Sequence, residues 1–141
     1  MGAMDRVCAE RRSGEVSYVI TVYGPDDGSG ECAELYEAAM GGHGIVIEHW
    51  AKPAQRLGLA FLSQLPGEDL TVRHEQLTAF SEELDALARH WTSTPPNERT
   101  ISTSAGGHLY ETPLLVHLLH RLSLVRAAVR IAELSGGHLY I

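Results

Sequence analysis

The sequence is poor in cysteine, in lysine and in long apolar runs. Its two cysteines, Cys8 and Cys32, form no CxxC pair, which argues against a disulfide framework and against a zinc site built on thiolates. Lys52 is the only lysine, a bias typical of a high-GC bacterial genome. No apolar run approaches the roughly 18 residues of a membrane span, and no basic flank with an apolar core marks a secretory signal. We therefore expect a reduced, cytoplasmic protein.

Motifs for nucleotide binding or nucleophilic catalysis are also missing. The glycine-rich turn at 24–30 precedes a predicted helix, but it lacks the GxxxxGK[ST] and GxGxxG spacings and carries Asp26 and Asp27 where a phosphate would bind. No GxSxG elbow is present. His49 and His74 are acid–base candidates only if a cleft gathers them with other groups. We predict no cofactor.

The length and composition indicate one globular domain. A chain of 141 residues with 44% hydrophobic residues can bury a core without a metal or a disulfide. We expect a disordered or cloning-derived start at 1–12 and a single α+β domain at 13–141. Its fold should be a two-layer one, with a mostly antiparallel sheet and three helices packed on it.

Local patterns predict several strands before the middle of the chain. Apolar, β-branched or aromatic runs favour strands, with a short edge strand before the second helix. These predicted strands are Glu15–Tyr23, Gly44–Trp50, Leu57–Leu65 and Leu70–Val72. Between the first two, Glu31–Met40 fits a short helix that ends at Gly41-Gly42.

Two longer helices follow from apolar periodicity. Residues at alternating steps of three and four form one stripe: Leu77, Phe80, Leu84, Leu87 and Trp91. After a weak strand pattern at 99–104, Thr112-Pro113 opens a long helix that should run to about Leu134. Its central seam is Leu118, Leu122, Val125, Val129 and Ala132. The tail from 138 to 141 is predicted to be a strand or a docked end.

The net charge of −7 is concentrated in one segment. Residues 13–51 contain seven acidic residues and no Lys or Arg. On the predicted helix, Glu31, Glu34 and Glu37 would form a row three residues apart, with Asp26 and Asp27 at the helix start. Such a patch is either a solvated face or a docking face for a basic protein partner, and it would repel nucleic acid.

An alternative interpretation uses histidine, of which the chain has eight. His117 and His120 are three apart on the long helix, so both project from one side and could share a metal. His108 or Glu111 would supply a third ligand. The motif is short and unspecific, and a polar helix edge explains it as well.

The long helix has apolar residues on more than one face, which central burial or a partner would explain. A homodimer through 113–134 would use Leu115, Leu119, Leu124 and Ile131. The chain also repeats Gly-Gly-His-Leu-Tyr at 106–110 and 136–140. Duplication or chance accounts for that repeat as well as function does.

The sequence therefore predicts a small acidic protein-binding module with no enzymatic signature. Its most concrete form is an inhibitor or immunity-type protein that occludes a basic surface of a toxin or nuclease. The predicted partner-binding residues are Asp26, Asp27, Glu31, Glu34, Glu37 and Glu48. Neither a nucleic acid nor a membrane is expected as a partner. The alternative is a metal-binding protein or enzyme that uses His108, His117 and His120.

Overall fold

A computed structural model describes residues 17–25, 33–65, 67, 69–96 and 100–141. Four strands form one antiparallel sheet in the order β2-β1-β6-β3: β1 (Ser17–Tyr23), β2 (Glu34–Gly42), β3 (Thr71–Val72) and β6 (His138–Tyr140). Two more strands, β4 (Thr100–Ala105) and β5 (His108–Pro113), form a separate ribbon. The helices are α1 (43–57), α2 (Leu77–Ser93) and α3 (Leu114–Ser135). The predicted α+β class, with a mostly antiparallel sheet and three helices, is confirmed.

The core lies between the sheet and α3. This helix packs against β1, β2 and β6, and α2 packs against α3. Ile20 and Val22 of β1 are fully buried in the same cluster as Leu139 of β6. The two longer helices, α2 and α3, were predicted correctly. All five residues of the predicted α2 stripe and all five of the predicted α3 seam are buried. The strands at 17–23, 71–72 and 138–140 also match their predictions.

The predicted helix Glu31–Met40 was wrong, because the described part of this segment is strand β2. β2 pairs antiparallel with β1, and its burial alternates with a period of two rather than 3.6. Tyr36 and Ala38 pack against the core and Met40 is fully buried, whereas Glu37 and Ala39 between them are exposed. Alternation of small and apolar residues with charged ones suits a half-buried strand as well as a helix.

The predicted strand Gly44–Trp50 was also wrong, because this segment is helical. α1 consists of an α-helical turn (His43–Val46), a π-helical stretch (Ile47–Ala51) and a further α-helical turn (Lys52–Leu57). Pro53 explains the π stretch. A proline has no N–H for the carbonyl four residues earlier, and its ring clashes with that carbonyl, so the helix widens locally.

The third predicted strand, Leu57–Leu65, is a helix end and a compact loop. α1 ends at Gly58, whose φ of 73° is the left-handed conformation that favours glycine. A 3-10 turn follows at Leu62–Gln64. The buried Glu83 of α2 holds this turn, because its carboxylate accepts hydrogen bonds from the backbone N–H of Phe61 and of Leu62 at 3.0 Å. That contact joins residues more than twenty positions apart, so no local pattern predicts it.

Both edges of the four-stranded sheet are ill suited to further strand pairing. β2 contains two register irregularities opposite β1, and its Ala39 carbonyl accepts a hydrogen bond from Arg121 Nη1 of α3 at 3.3 Å. β3, at the other edge, has only two residues. Bulges, side-chain cover and short edge strands all discourage pairing with another chain.

The β4–β5 ribbon lies outside this sheet. The weak pattern at 99–104 predicted β4, whereas β5 was missed because its residues show no apolar alternation. The connecting residues Gly106 and Gly107 have φ values of 59° and 82°. A two-residue hairpin loop with both φ values positive strongly favours glycine, so this Gly-Gly pair fixes the ribbon.

No helix within the described ranges is long and apolar enough to cross a membrane.

Candidate functional site

The predicted acidic row is only partly described, and its geometry differs from the prediction. Asp26, Asp27 and Glu31 lie outside the described residues. Glu34 and Glu37 lie on β2 rather than on a helix. They pair with Tyr23 and Thr21 of β1, which are two positions apart, so the irregularity between them brings both carboxylates to the same face of the sheet.

Neither Glu34 nor Glu37 is without an interaction partner in the chain. Both side chains belong to exposed residues, and each takes part in an interaction within the chain. Glu48 lies elsewhere, on the π stretch of α1, where Lys52 Nζ contacts its carboxylate at 3.0 Å. The hydrogen bond and the charge of Lys52, followed by the charges of His49 and Arg56, hold the pKa of the Glu48 carboxyl below its ordinary value. Glu48 is therefore a locally compensated charge and not part of a row with Glu34 and Glu37.

The three histidines of the metal alternative are not brought together. His108 begins β5 at the far end from α3, and five residues of extended strand span about 17 Å. His117 is buried, while His120 is exposed. Burial, then the charges of Arg121 and His120, lowers the pKa of His117. Throughout the part of the chain that the structure describes, no three His, Cys, Asp or Glu side chains are grouped as metal ligands would be.

The proposed dimer seam is not one stripe. Leu115 and Leu119 lie on one flank of α3, whereas Leu124 and Ile131 lie about 140° around the helix axis from them. Leu115 and Ile131 already pack against the core of the chain itself. A homodimer through this helix stays a prediction, without a continuous apolar seam to support it.

The repeated pentapeptide has two different environments. At 136–140 it ends α3 and forms β6, where Leu139 is fully buried. At 106–110 it turns the ribbon and begins β5, where Leu109 is 80% exposed and Tyr110 is 51% exposed. The pentapeptide therefore leads into a buried strand at 136–140 and into an exposed strand at 106–110.

Two residues near the start of α3 are also apolar and exposed. Val116 is 54% exposed and Leu119 is 36% exposed. β4 pairs only with β5 among the described strands. Ile101 of β4 packs against the core, whereas Leu109 and Tyr110 of β5 are exposed. Because a two-stranded ribbon has little stability of its own in water, these two residues gain most from a surface that covers them.

A cavity of about 370 Å³ lies between α1, the end of α2 and the start of α3. Its floor is apolar, because Pro53, Trp91 and Leu114 line it and are all buried. Its mouth is polar and includes the exposed Glu48 and Arg56. The volume falls within the usual range for small-molecule sites, about 300–1,000 Å³.

Hydrogen bonding and ring packing fix the cavity walls. Trp91 Nε1 donates to the backbone carbonyl of His49 at 2.8 Å, which joins the π stretch to α2. Trp50 packs edge-to-face against Trp91, with ring centroids 5.1 Å apart. The cavity is therefore already formed in the free chain.

Two half-buried histidines line this cavity, His49 on α1 and His90 on α2. The sequence identified His49 as an acid–base candidate that needed a cleft, and the structure supplies the cleft. The sequence did not identify His90 or Arg56 as candidate residues. The only sequence signal for either residue was its position. His90 precedes the last residue of the apolar stripe, and Arg56 lies three residues after the helix-distorting Pro53.

Comparison of the chain with protein-family models, with curated proteins and with solved structures gives no match. The fold and the surfaces described above are therefore the basis for any functional conclusion.

Proposed function

We propose that this chain is a protein-binding module that docks through the β4–β5 ribbon. The observation that carries the proposal is the contrast between Leu109, which is 80% exposed, and Leu139, which is fully buried in an identical pentapeptide. A large apolar side chain that stays this exposed contributes little to the fold. It contributes substantially to an interface once a partner removes it from water.

The ribbon suits a cleft better than a flat surface. Successive residues of a strand point to opposite faces, so Leu109 and Tyr110 present apolar groups on both sides. His108 contacts Tyr110 edge-to-face, with ring centroids 6.3 Å apart, which stiffens one face. A partner that covers both faces has to surround the ribbon, as a cleft does.

The net charge of −7 favours a partner with a basic surface, since opposite charges accelerate encounter and set the orientation. Glu111 is exposed on the same side of β5 as Leu109 and would contact such a surface beside it. An inhibitor or immunity-type protein that occludes a basic cleft of a toxin or nuclease is the specific form of this proposal. Glu34 and Glu37 would add long-range attraction rather than direct contact.

Site-specific photocrosslinking tests the docking element. A photoreactive residue replaces Leu109 in one variant and Leu134, which is 71% exposed at the other end of α3, in a matched variant. Both variants are expressed in the cells in which the protein naturally occurs, and the proteins crosslinked to them are identified by mass spectrometry. We expect one defined protein to crosslink at position 109 and not at 134. Equal adducts at both positions, or none at 109, would overturn the proposal.

Affinity measurements with the purified crosslinked protein complete the test. Leu109→Ala should weaken binding by about tenfold or more, as expected for an exposed apolar residue that becomes buried in an interface. Leu134→Ala should bind as the unchanged chain does. Raised salt should slow association without abolishing the complex. An unchanged affinity for Leu109→Ala would rule out the ribbon as the docking element.

A further inference from the structure

The cavity between α1 and α2 is lined by three buried apolar residues, two half-buried histidines, one exposed carboxylate and one exposed guanidinium. Glu48 is the one carboxylate among the cavity's lining residues, and Arg56 is the one guanidinium. Lys52 is already hydrogen-bonded to Glu48. Arg56 thus contributes a positive charge in addition to a compensated pair, in a chain whose overall charge is −7.

The geometry of the floor favours a flat ring. Pro53, Trp91, Pro95 and Pro96 all line the cavity, and each contributes a rigid ring. Aromatic rings pack well against such surfaces. The indole of Trp91 is held in place by its hydrogen bond to His49, so a ring can bind without ordering this wall first.

Polar groups lie where a ring substituent would reach the mouth. His49 and His90 line the cavity and are half-buried, whereas Arg56 in the same lining is exposed. An imidazole can donate a hydrogen bond to an anion, and a guanidinium binds a carboxylate or phosphate through paired N–H groups. A cation would instead meet Arg56 and a carboxylate that is already paired with Lys52.

We propose that this cavity is a binding site for a small organic anion, namely a flat apolar ring bearing a carboxylate or a phosphate. The ring lies over Pro53 and Trp91, and the anionic group contacts Arg56 with His49 or His90 beside it. The site is separate from the β4–β5 ribbon, so this inference does not depend on the proposed protein-binding function.

A ligand series read by NMR tests the site. The chain has two tryptophans, Trp50 and Trp91, and both lie at this place in the fold, so their indole N–H signals report directly on it. The ¹⁵N-labelled full chain is titrated to millimolar concentrations with benzoate, phenyl phosphate, benzyl alcohol and benzylammonium. We expect saturable shifts of the Trp91 indole signal with benzoate or phenyl phosphate, and at least about fivefold weaker binding of the other two probes.

Two arginine variants show whether the mouth recognises the charge. Arg56→Gln should weaken binding of the anionic probes by about tenfold, because it removes a hydrogen bond between charged groups. Arg130→Gln, on the exposed side of α3 where its guanidinium is 3.8 Å from Glu133, should leave their affinity unchanged. Both positions are exposed, so both variants should fold.

Three results would overturn the proposal: no saturable shift with either anion, equal affinity for benzoate and benzylammonium, or an unchanged affinity in Arg56→Gln. A difference between benzoate and phenyl phosphate identifies which anionic group the natural ligand carries. Loss of ribbon-dependent protein binding has no bearing on any of these results.

Discussion

Trp91 donates its indole N–H to the backbone carbonyl of His49 at 2.8 Å, across the contact between α2 and α1. In a regular α-helix that carbonyl would accept from the N–H of residue 53, but residue 53 is proline. The tryptophan thus supplies a donor in place of the N–H that Pro53 lacks. Its neighbour Trp50 has no such role, because its Nε1 is buried without a hydrogen-bond partner in the described structure.

These two tryptophans make a matched pair for measuring that hydrogen bond. Trp91→Phe removes a bonded N–H, while Trp50→Phe removes an unbonded one, and both keep an aromatic ring in the core. We expect Trp91→Phe to lower the free energy of unfolding by about 1–2 kcal/mol more than Trp50→Phe. Urea denaturation followed by circular dichroism measures both. Equal losses would show that the His49 carbonyl gains nothing from Trp91.

Glu83 should be the most important buried acid for stability among the described residues. Its carboxylate accepts the N–H of Phe61 and of Leu62, which begin the 3-10 turn after α1. Glu83→Ala leaves both donors without an acceptor and should cost about 2–4 kcal/mol. The exposed neighbour Glu82→Ala should cost nearly nothing. Hydrogen exchange should accelerate at residues 61 and 62 in the first variant, and protection that persists there would contradict this role.

His117 should make the stability of the chain fall in mild acid. Burial first, then the charges of Arg121 and His120, lowers the pKa of its imidazole from 6.5. Because the folded pKa is below the unfolded one, the unfolded chain binds more protons once the pH falls below about 6.5. The free energy of unfolding therefore decreases with falling pH, by at most about 1.4 kcal/mol per pH unit for one proton, until the pH reaches the folded pKa.

The comparison that checks this is urea denaturation between about pH 7.5 and about pH 5.5. His117→Gln should show a shallower decrease in stability than the unchanged chain. His120→Gln, at an exposed position, should keep most of the decrease. If the slope of the His117 variant is unchanged, the acid sensitivity comes from another group.

Gly137 should tolerate no side chain. A Cβ built there would lie far inside van der Waals contact with the backbone carbonyl of Tyr23, because β1 and β6 pair at that point. Gly137→Ala should therefore cost about 2–4 kcal/mol, as backbone displacement in a sheet does. Gly44→Ala is the control, since nothing lies within 4 Å of its Cβ in the first turn of α1. It should be neutral or stabilising by up to about 1 kcal/mol, and thermal unfolding distinguishes the two variants.

The parts of the fold that sequence predicted correctly are those that local periodicity determines. The α2 stripe from Leu77 to Trp91 repeats over about four turns, and no other arrangement buries all of its apolar residues on one side. β1 is rich in β-branched and aromatic residues and is an inner strand of the sheet. In both segments the nearby residues carry enough information to define the element.

The errors occur where distant contacts decide the structure. Gly44–Trp50 has the composition of a strand, but Trp91 stabilises the widened helix that Pro53 causes. Leu57–Leu65 has an apolar run whose loop depends on Glu83 from another helix. Glu34 and Glu37 have helical spacing, and only a strand irregularity brings them to one face. The cavity was beyond prediction for the same reason, since its walls come from three separate helices.

The blunted edges of the four-stranded sheet restrict how this protein can misassemble. Lateral growth into fibrils needs a long, regular strand with free backbone groups, and neither β2 nor β3 offers one. β4 differs, since Thr100–Ala105 carries no charge and no proline. Aggregation at high concentration should therefore begin at the ribbon, and a lysine in β4 should raise solubility while the rest of the fold stays unchanged.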